Sequence, residues 1–570
     1  MLTGLLDWLD AAPWHYWCLA WAAFAIFLLS ATLPFGGERR WGRWNPPHHF
    51  AGSLFLFLAA FRWPVIGLNH QLPNPDESQL IASALTYRHF GTLWGHVDGM
   101  SSGPLVSLPL ILPALLGWPI NYQTARLVGL LASGAMVLLL WLTLRHQHGD
   151  RRARLLVVPP ACAVAFTTYW DYLQYSSEQV PLAHCALALW LVVTAFSPAG
   201  VVRSLPRLAC AGLVLGLLPL GKLQLVPLGL VLGLAVLVWL ARSSSGPAPR
   251  RLRAAGWLLG GTGLAVAGTA LSLWWSGAGH DFWLTHVYSN LHYADQRAYG
   301  WKDFPDAFWV LLHEDAALTG YLVPAGLLLA AGLLAGLRLR SASPRLPVLA
   351  AALLVTALYV VGAPGRLYPH YLLILIPFTA FALGGVYAGL VESARCPPRA
   401  PAALLAVFLV FSVAPQIWFR ATAPHPYLGR RHTPGPNDPR AAVAQFVRKA
   451  TRPGDTLAVW GWMPRFFVET GLPQATREAH TQRELRPWVL SSYLLDRYLA
   501  DLARNRPAVF LDAVGKDNYL YHDRVLDGHE TRPALRDYIA QHYYLAGEIA
   551  TTRIYLRNDR APPPPVTSGK

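Results

Sequence analysis

Twelve apolar runs in the first 418 residues constrain this chain more than any other feature. They lie at 16–34, 50–68, 126–144, 155–170, 180–197, 208–220, 223–240, 255–275, 316–337, 346–363, 369–390 and 401–418. Most approach the ~20 residues that carry a helix across the hydrocarbon core of a bilayer, and several are short or touch each other. Lipid offers no partner to backbone N–H and C=O groups, so such runs satisfy themselves as helices. The expected fold class is mainly α, a polytopic membrane helical bundle of about twelve spans. The pair 208–220 and 223–240 is the least separated, with Lys222 between them. Charged residues make up only 14% of the chain, where a soluble protein carries about 25%.

Loop charge sets the expected orientation, because Arg and Lys concentrate in cytoplasmic loops. Alternate loops hold Arg39, Arg40 and Arg43; Arg145, Arg151, Arg152 and Arg154; Arg203 and Arg207; Arg242, Arg250, Arg251 and Arg253; Arg338, Arg340 and Arg345; and Arg395 and Arg399. The opposite loops and their edges hold only Arg88, Arg126, Lys222, Arg297, Lys302 and Arg366. This asymmetry places the loop 69–126 and everything after residue 419 outside the cytoplasm. It also accounts for much of the net charge of +16, so no nucleic-acid partner is implied; membrane lipids are. The first run is preceded by an acidic segment and followed by Arg39-Arg40, the reverse of a cleavable signal. No cysteine falls in the C-terminal region, so no disulfide framework is expected.

Three regions follow: a transmembrane domain over 1–418, an external α/β domain over 419–560, and a disordered tail over 561–570, APPPPVTSGK with its leading Ala. Within the second, 439–451 and 485–505 read as helices and 531–541 as a third. Segments 455–460 and 508–513 read as strands, and 547–557 as a closing hairpin.

The candidate chemistry begins in the loop 69–126. Asn74-Pro75-Asp76-Glu77 reads as a helix start: Asn caps, Pro suits the first helical position, and acids favour the first turn. That helix should end at Gly91, and a second, interfacial one should span 104–116. Acids in a first turn can serve the dipole alone. At a membrane exit, with further acids in the neighbouring external loops, Asp76 and Glu77 become candidates for general-base work. Glu178, in the loop DYLQYSSEQVP, is either a solvated acid or a functional one at the membrane edge; Asp171 competes for that role. Lys222 either snorkels or holds a phosphate. Arg366, with His370 about one helical turn later, suits phosphate through a planar fork and a second donor. The histidines of the aromatic loop 277–315, His286, His292 and His313, lack ligand spacing, and no metal is assigned to them.

Three stretches together resemble the C-type glycosyltransferase superfamily, in particular its bacterial branch allied to protein O-mannosyltransferases and lipid A aminoarabinose transferases. They are PDESQLIASALTYRHFGTLW with DGMSSGPLVSLPLILPALLG and Arg126, then SSEQVPLAHCALAL, then GRLYPHYLLILIP. A weaker fourth is VWGWMPRFFVETGLPQATR. The resemblance implies juxtamembrane helices in the first external loop, Asp76 as the catalytic acid of that loop with Glu77 its companion, and Glu178 as a second external acid. It implies donor-phosphate contacts from Arg366 and His370. Where many relatives carry a Lys-Pro-Pro segment, this chain has Ser101-Ser102-Gly103-Pro104-Leu105, which leaves Lys222 as a substitute cation. The implied reaction moves a hexosyl or pentosyl group from a polyprenyl-phosphate donor to a hydroxyl of a lipid, glycan or protein acceptor. The implied setting is a bacterial inner membrane. Any divalent cation would draw on Asp76 and Glu178. Two other classes, a lipid or polysaccharide transporter and an oligosaccharide polymerase or ligase, fit less well. Paired halves around a midplane site are missing, and the key Arg and His do not sit in a large late loop.

Overall fold

The computed structural model describes residues 13–33, 45–68, 74–196, 201–242, 248–293, 298–336, 345–366, 368–392, 399–422, 439–486 and 489–560. The chain folds as two compact units. The first comprises Met1–Asn69, Arg126–Thr269 and Tyr293–Arg431; the second comprises His70–Ala125, Ala270–His292 and His432–Lys570. Two stretches that composition grouped with the membrane part, His70–Ala125 and Ala270–His292, thus fold with the α/β domain. The expected tail at 561–570 lies outside the described residues.

Every one of the twelve apolar runs forms a helix. They are Pro13–Thr32, Pro47–Leu68, Tyr122–His148, Asp150–Phe166, Gln179–Ala195, Leu205–Leu217, Val226–Arg242, Ala248–Ser276, Ala316–Gly336, Arg345–Gly362, Leu375–Glu392 and Ala400–Thr422. Among the described residues, eight helices are long and apolar enough to cross a membrane. The closely spaced pair around Lys222 is parted by two single 3₁₀ turns, Leu218–Leu220 and Leu223–Leu225, with Lys222 extended between them at φ −151° and ψ 119°. Gly221 and one extended residue are enough to reverse the chain.

The first unit is cemented by aromatic rings and small residues. Phe27 stacks on Phe57 with ring centroids 5.0 Å apart, and Phe166 meets Phe57 and Phe61 edge-on. Helices Leu205–Leu217 and Ala248–Ser276 touch through glycine. A Cβ at Gly212 would stand 1.9 Å from the Leu258 carbonyl oxygen, and one at Gly261 2.0 Å from that of Ala209. Such backbone contact is how helices associate where the lipid gives no hydrophobic drive. Gly212→Val is therefore expected to force the pair apart, at a cost of ~1–3 kcal/mol or more, read as a lower aggregation temperature in detergent. Gly260→Ala, where nothing lies within 4 Å, should be neutral or mildly stabilising.

Buried arginines in this unit satisfy carbonyls left over at helix ends. Arg62 donates to Leu173 O at 3.1 Å and Val164 O at 3.4 Å, and Arg126 to Val65 O at 3.2 Å. Arg154, counted above as a loop cation, is fully buried. It donates to Ser30 O at 2.9 Å and Asn45 Oδ1 at 2.8 Å and pairs with Asp150 at 2.6 Å. Its charge does structural work as well as marking a face.

The second unit is built on a four-stranded sheet, ordered β1-β2-β4-β3: β1 Leu457–Gly461, β2 Val509–Ala513, β3 Tyr543–Ile549 and β4 Thr552–Arg557. β1 and β2 are parallel, and the rest antiparallel. Both parallel strands are buried throughout, because Val459 and Leu511 face one apolar cluster while Trp460 and Phe510 face the other. The expected hairpin is present, its two turn residues Ala550 and Thr551 both at positive φ, 49° and 55°, as a two-residue turn between twisted strands requires. The helix expected at 485–505 begins only at Ser491; part of the missing stretch, 487–488, lies outside the described residues.

A buried charge network ties the three segments of this unit. Asp98 meets Arg483 at 2.6 Å and Arg497 at 2.8 Å, and Glu478 meets the same two at 2.8 and 2.5 Å. Arg497 reaches Asp281 at 3.3 Å, Tyr493 donates to Asp281 at 2.5 Å, and Arg477 bridges Asp281 and Asp501. The Trp94 ring packs on Phe282 and His286 in the same unit.

Candidate active site

The Asp76-Glu77 pair opens the helix Pro75–Phe90 as its sequence dictates. Asn74 caps it, its Oδ1 accepting from Asp76 N–H at 2.8 Å; Pro75 follows, and Gly91 at φ 69° closes the far end. The expected second helix is present as one helical stretch, Pro104–Leu115, whose middle turn, Leu108–Ile111, tightens to 3₁₀ geometry around Pro109.

The two acids part company. Adjacent helical residues are ~100° apart around the axis, so they cannot share a face. Asp76 is exposed, whereas Glu77 is buried. Next to Glu77, Ser78 Oγ lies 2.8 Å from the Tyr122 hydroxyl. Further along, Ala82 enters the core of the α/β sheet, and Thr86 Oγ1 accepts from Gln474 N–H at 2.9 Å. The helix that presents Asp76 is thus bolted into the second unit. The segment standing in place of a Lys-Pro-Pro stretch is a tight turn. Asp98 Oδ1 accepts from Met100 N–H at 2.8 Å, and Ser102 N–H donates to Gly99 O at 2.9 Å.

In the first unit the fold gathers Glu178, Lys222, His370 and Asp171, which the sequence could only propose one by one. Lys222 Nζ is ion-paired with Glu178, donates to Ser177 Oγ at 2.9 Å and lies 4.9 Å from the centre of the Tyr371 ring. His370 Nδ1 is 3.2 Å from Asp171 Oδ2, and its Nε2 is 3.8 Å from Glu178 Oε1. Tyr172 donates to Pro369 O at 2.7 Å, and the Tyr368 ring stacks on the imidazole. Burial pushes the Glu178 carboxyl up, but the Lys222 ammonium, aided by His370, outweighs it and holds Glu178 below the usual carboxylate range. With His370 protonated the four groups sum to zero charge. An anion arriving here would compete with Glu178 for Lys222, and the His370 imidazole stands between two carboxylates. The next residues in sequence, Tyr172 and Gln179, line a cavity of the same unit with Arg62 and Thr167.

Arg366 is placed differently from its expectation. The helical segment starts only at Pro369, so Arg366 and His370 are not one helical turn apart. Arg366 sits half-buried in an irregular strand of chain. Ala298 N–H donates to Gly365 O at 2.8 Å and the Tyr299 hydroxyl to Arg366 O at 3.5 Å. Among the described residues, the group with metal-ligand spacing is Asp512, His529 and Glu530; it includes neither Asp76 nor Glu178. Its charges are already matched, with Arg524 3.0 Å from Asp512 and Arg553 paired with Glu530. His286 is buried against Phe282, and His292 and His313 bond the Tyr288 and Trp309 carbonyls of their own helices.

No family model and no curated protein matches this sequence. Among solved structures, ArnT from Cupriavidus metallidurans bound to undecaprenyl phosphate matches with a TM-score of 0.56. The alignment covers 88% of this chain and 97% of that one. The chain has the fold of ArnT. The apo state of ArnT matches over the same shares, with a TM-score of 0.53. Identity to ArnT is 13% in both comparisons, so the likeness lies in the course of the backbone and not in side chains.

Proposed function

We propose that this protein is a membrane glycosyltransferase. It moves one hexosyl or pentosyl group from a polyprenyl-phosphate carrier to an acceptor hydroxyl of a lipid, glycan or protein. The reaction runs on the periplasmic face of a bacterial inner membrane, with the C-terminal α/β domain on that side. The observation that carries this reading is the charge-matched group Glu178–Lys222–His370–Asp171, in which Glu178 and Lys222 are buried. Charged side chains buried among apolar helices are costly without a task. Two further supports are the fold shared with an ArnT crystallised with undecaprenyl phosphate and the motif resemblance.

On this reading Asp76, the solvent-facing acid of its pair, is the general base. It takes the proton of the acceptor hydroxyl while that oxygen bonds to the anomeric carbon. The bond from that carbon to the phosphate oxygen breaks, and the electron pair leaves with polyprenyl phosphate. Lys222 and Arg366 offset the charge gathering on the leaving phosphate, and His370 holds a proton for it. Glu77, being buried, positions the helix start; Glu178 sets the Lys222 ammonium.

The test is to incubate the purified protein with a panel of polyprenyl-phosphate pentoses and hexoses and an envelope glycolipid extract. Released polyprenyl phosphate is the expected result; no release from any donor sinks the reading. Arg366→Ala should raise the donor KM ~10–100-fold, the loss of one charge-assisted phosphate contact, with acceptor KM unmoved. An unchanged donor KM removes Arg366 from the phosphate site.

A further inference from the structure

One buried acid of the first unit lies outside the group Glu178–Lys222–His370–Asp171. Asp315 stands at the head of the helix Ala316–Gly336 and is 3% exposed. One of its carboxylate oxygens caps that helix: Oδ1 accepts from Leu318 N–H at 2.8 Å. Asparagine, serine or threonine would cap it about as well. The other oxygen is spent on a distant part of the chain. Oδ2 accepts from the Thr167 hydroxyl at 2.7 Å, and from the N–H groups of Thr168 at 3.3 Å and Tyr169 at 3.4 Å. An amide or a hydroxyl offers a single acceptor oxygen, whereas an ionised carboxylate accepts on both. The cap alone therefore does not call for an aspartate; the second grip does.

The gripped residues follow the helix Asp150–Phe166 and lead into the single turn Trp170–Leu173. That turn hangs from Tyr169, whose carbonyl accepts from Tyr172 N–H at 3.1 Å and from Leu173 N–H at 3.3 Å. At its far end Arg62 donates to Leu173 O at 3.1 Å. Between these two grips, adjacent side chains leave the turn for adjacent residues of the segment Pro369–Ile374. Asp171 Oδ2 lies 3.2 Å from His370 Nδ1, and the Tyr172 hydroxyl donates to Pro369 O at 2.7 Å. A drift of the turn by about 1 Å would carry both contacts out of hydrogen-bond range.

We infer that Asp315 is a positioning residue of the sugar-donor site: by gripping Thr167–Tyr169 it fixes the turn that sets Asp171 and Tyr172 against the His370 segment. It acts through that turn and is not itself a reacting group. Its effect on transfer rests on the transferase reading above, whereas the grip is a matter of structure alone.

Thr167→Val cuts the strongest arm of the grip and leaves the helix cap in place, and Thr167→Ser keeps the hydroxyl. Both can be followed by hydrogen–deuterium exchange on the full-length protein in nanodiscs. In Thr167→Val, exchange should quicken about fivefold over 167–174 and over 368–374, the worth of one lost hydrogen bond; Thr167→Ser should match the wild type. The kcat/KM for the polyprenyl-phosphate sugar should fall ~5–10-fold in Thr167→Val with the acceptor KM unmoved. In an Asp171→Asn background the same substitution should lower it no further, because the two residues act in series. Asp315→Asn, which can cap but cannot serve both sides, should follow Thr167→Val in each measurement. Quickened exchange over 167–174 alone, or over neither segment, overturns the inference. So does a full further loss of kcat/KM in the Asp171→Asn background. Quickened exchange over both segments, together with no transfer by the wild type from any polyprenyl-phosphate sugar, would keep the positioning of His370 and remove the transferase reading.

Discussion

Replacing Asp76 with asparagine is expected to lower transfer by about 10²–10⁴-fold, the range a positioned general base contributes. The protein should still reach the membrane at normal levels. The expectation follows from how the helix start is made. Its cap is Asn74 and its first turn is closed by Pro75, neither of which depends on the Asp76 carboxylate. Asparagine has nearly the same shape but is neutral, and it cannot take a proton. Asp76 is exposed, so the substitution buries no new polar group. Glu77→Gln is the informative contrast. Glu77 is buried, so its loss should show first as reduced thermal stability and only secondarily in rate. A rate for Asp76→Asn within a few fold of wild type would remove Asp76 as the base. Equal rate losses in both variants, with stability intact, would mean that the two acids act together.

Arg497→Ala carries the largest expected stability change. Its guanidinium serves Asp98, Glu478 and Asp281 at once, and all of these lie in one unit. Removing one partner from a buried ion cluster costs ~3–5 kcal/mol, because the opposite charges stay behind without compensation. The sign of the pH dependence separates this from simple loss of packing. Burial alone would raise the Asp98 carboxyl; the Arg483 and Arg497 guanidinium groups outweigh it and hold Asp98 far below the ordinary carboxylate range. A depressed folded pKa stabilises above the unfolded value of about 4 and is lost as pH falls below it. In Arg497→Ala that depression relaxes, and Asp98 and Glu478 can take up protons to escape an uncompensated charge. The deficit relative to wild type should therefore be larger at pH 8 than at pH 5, measured as the shift in unfolding temperature of the purified protein. A deficit that is the same at both pH values would show that only packing was lost.

Much of the fold could be read without coordinates. The apolar runs are long-range facts about composition, and lipid leaves a run of that kind a single backbone solution, so all twelve became helices at nearly the expected bounds. The helix start at Asn74 and its stop at Gly91 were equally legible, because capping is a local matter of a few side chains and one positive φ. The hairpin at the C-terminal end was legible for the same reason. The breaks that went unforeseen were also local, but of a kind that hydropathy ignores. Around Pro109 the second loop helix tightens into a 3₁₀ turn, and the helical segment that carries His370 starts only at Pro369.

The candidate site was legible residue by residue and illegible as a group. Glu178 and Lys222 are 44 residues apart, and Asp171 and His370 are 199 apart. No periodicity links such positions, and each acid or base alone had an ordinary explanation. Asp315 gave even less signal, since it looks like any acid before an apolar run until the fold sets Thr167 against it, 148 residues away.

What the sequence determined by itself was the class of object. It is a chain of apolar helices with a capped acid pair in its first long polar loop and a small α/β domain after them, because each of these depends on neighbours within a turn or a span. Tertiary structure alone decided which acid faces solvent and which is buried. It also decided that Lys222 is held by Glu178, and that the first loop folds with the C-terminal sheet through Asp98, Arg483 and Arg497. Those outcomes hinge on charges brought within 3 Å across hundreds of residues, and in a buried setting it is the finished geometry that selects which of them can pair.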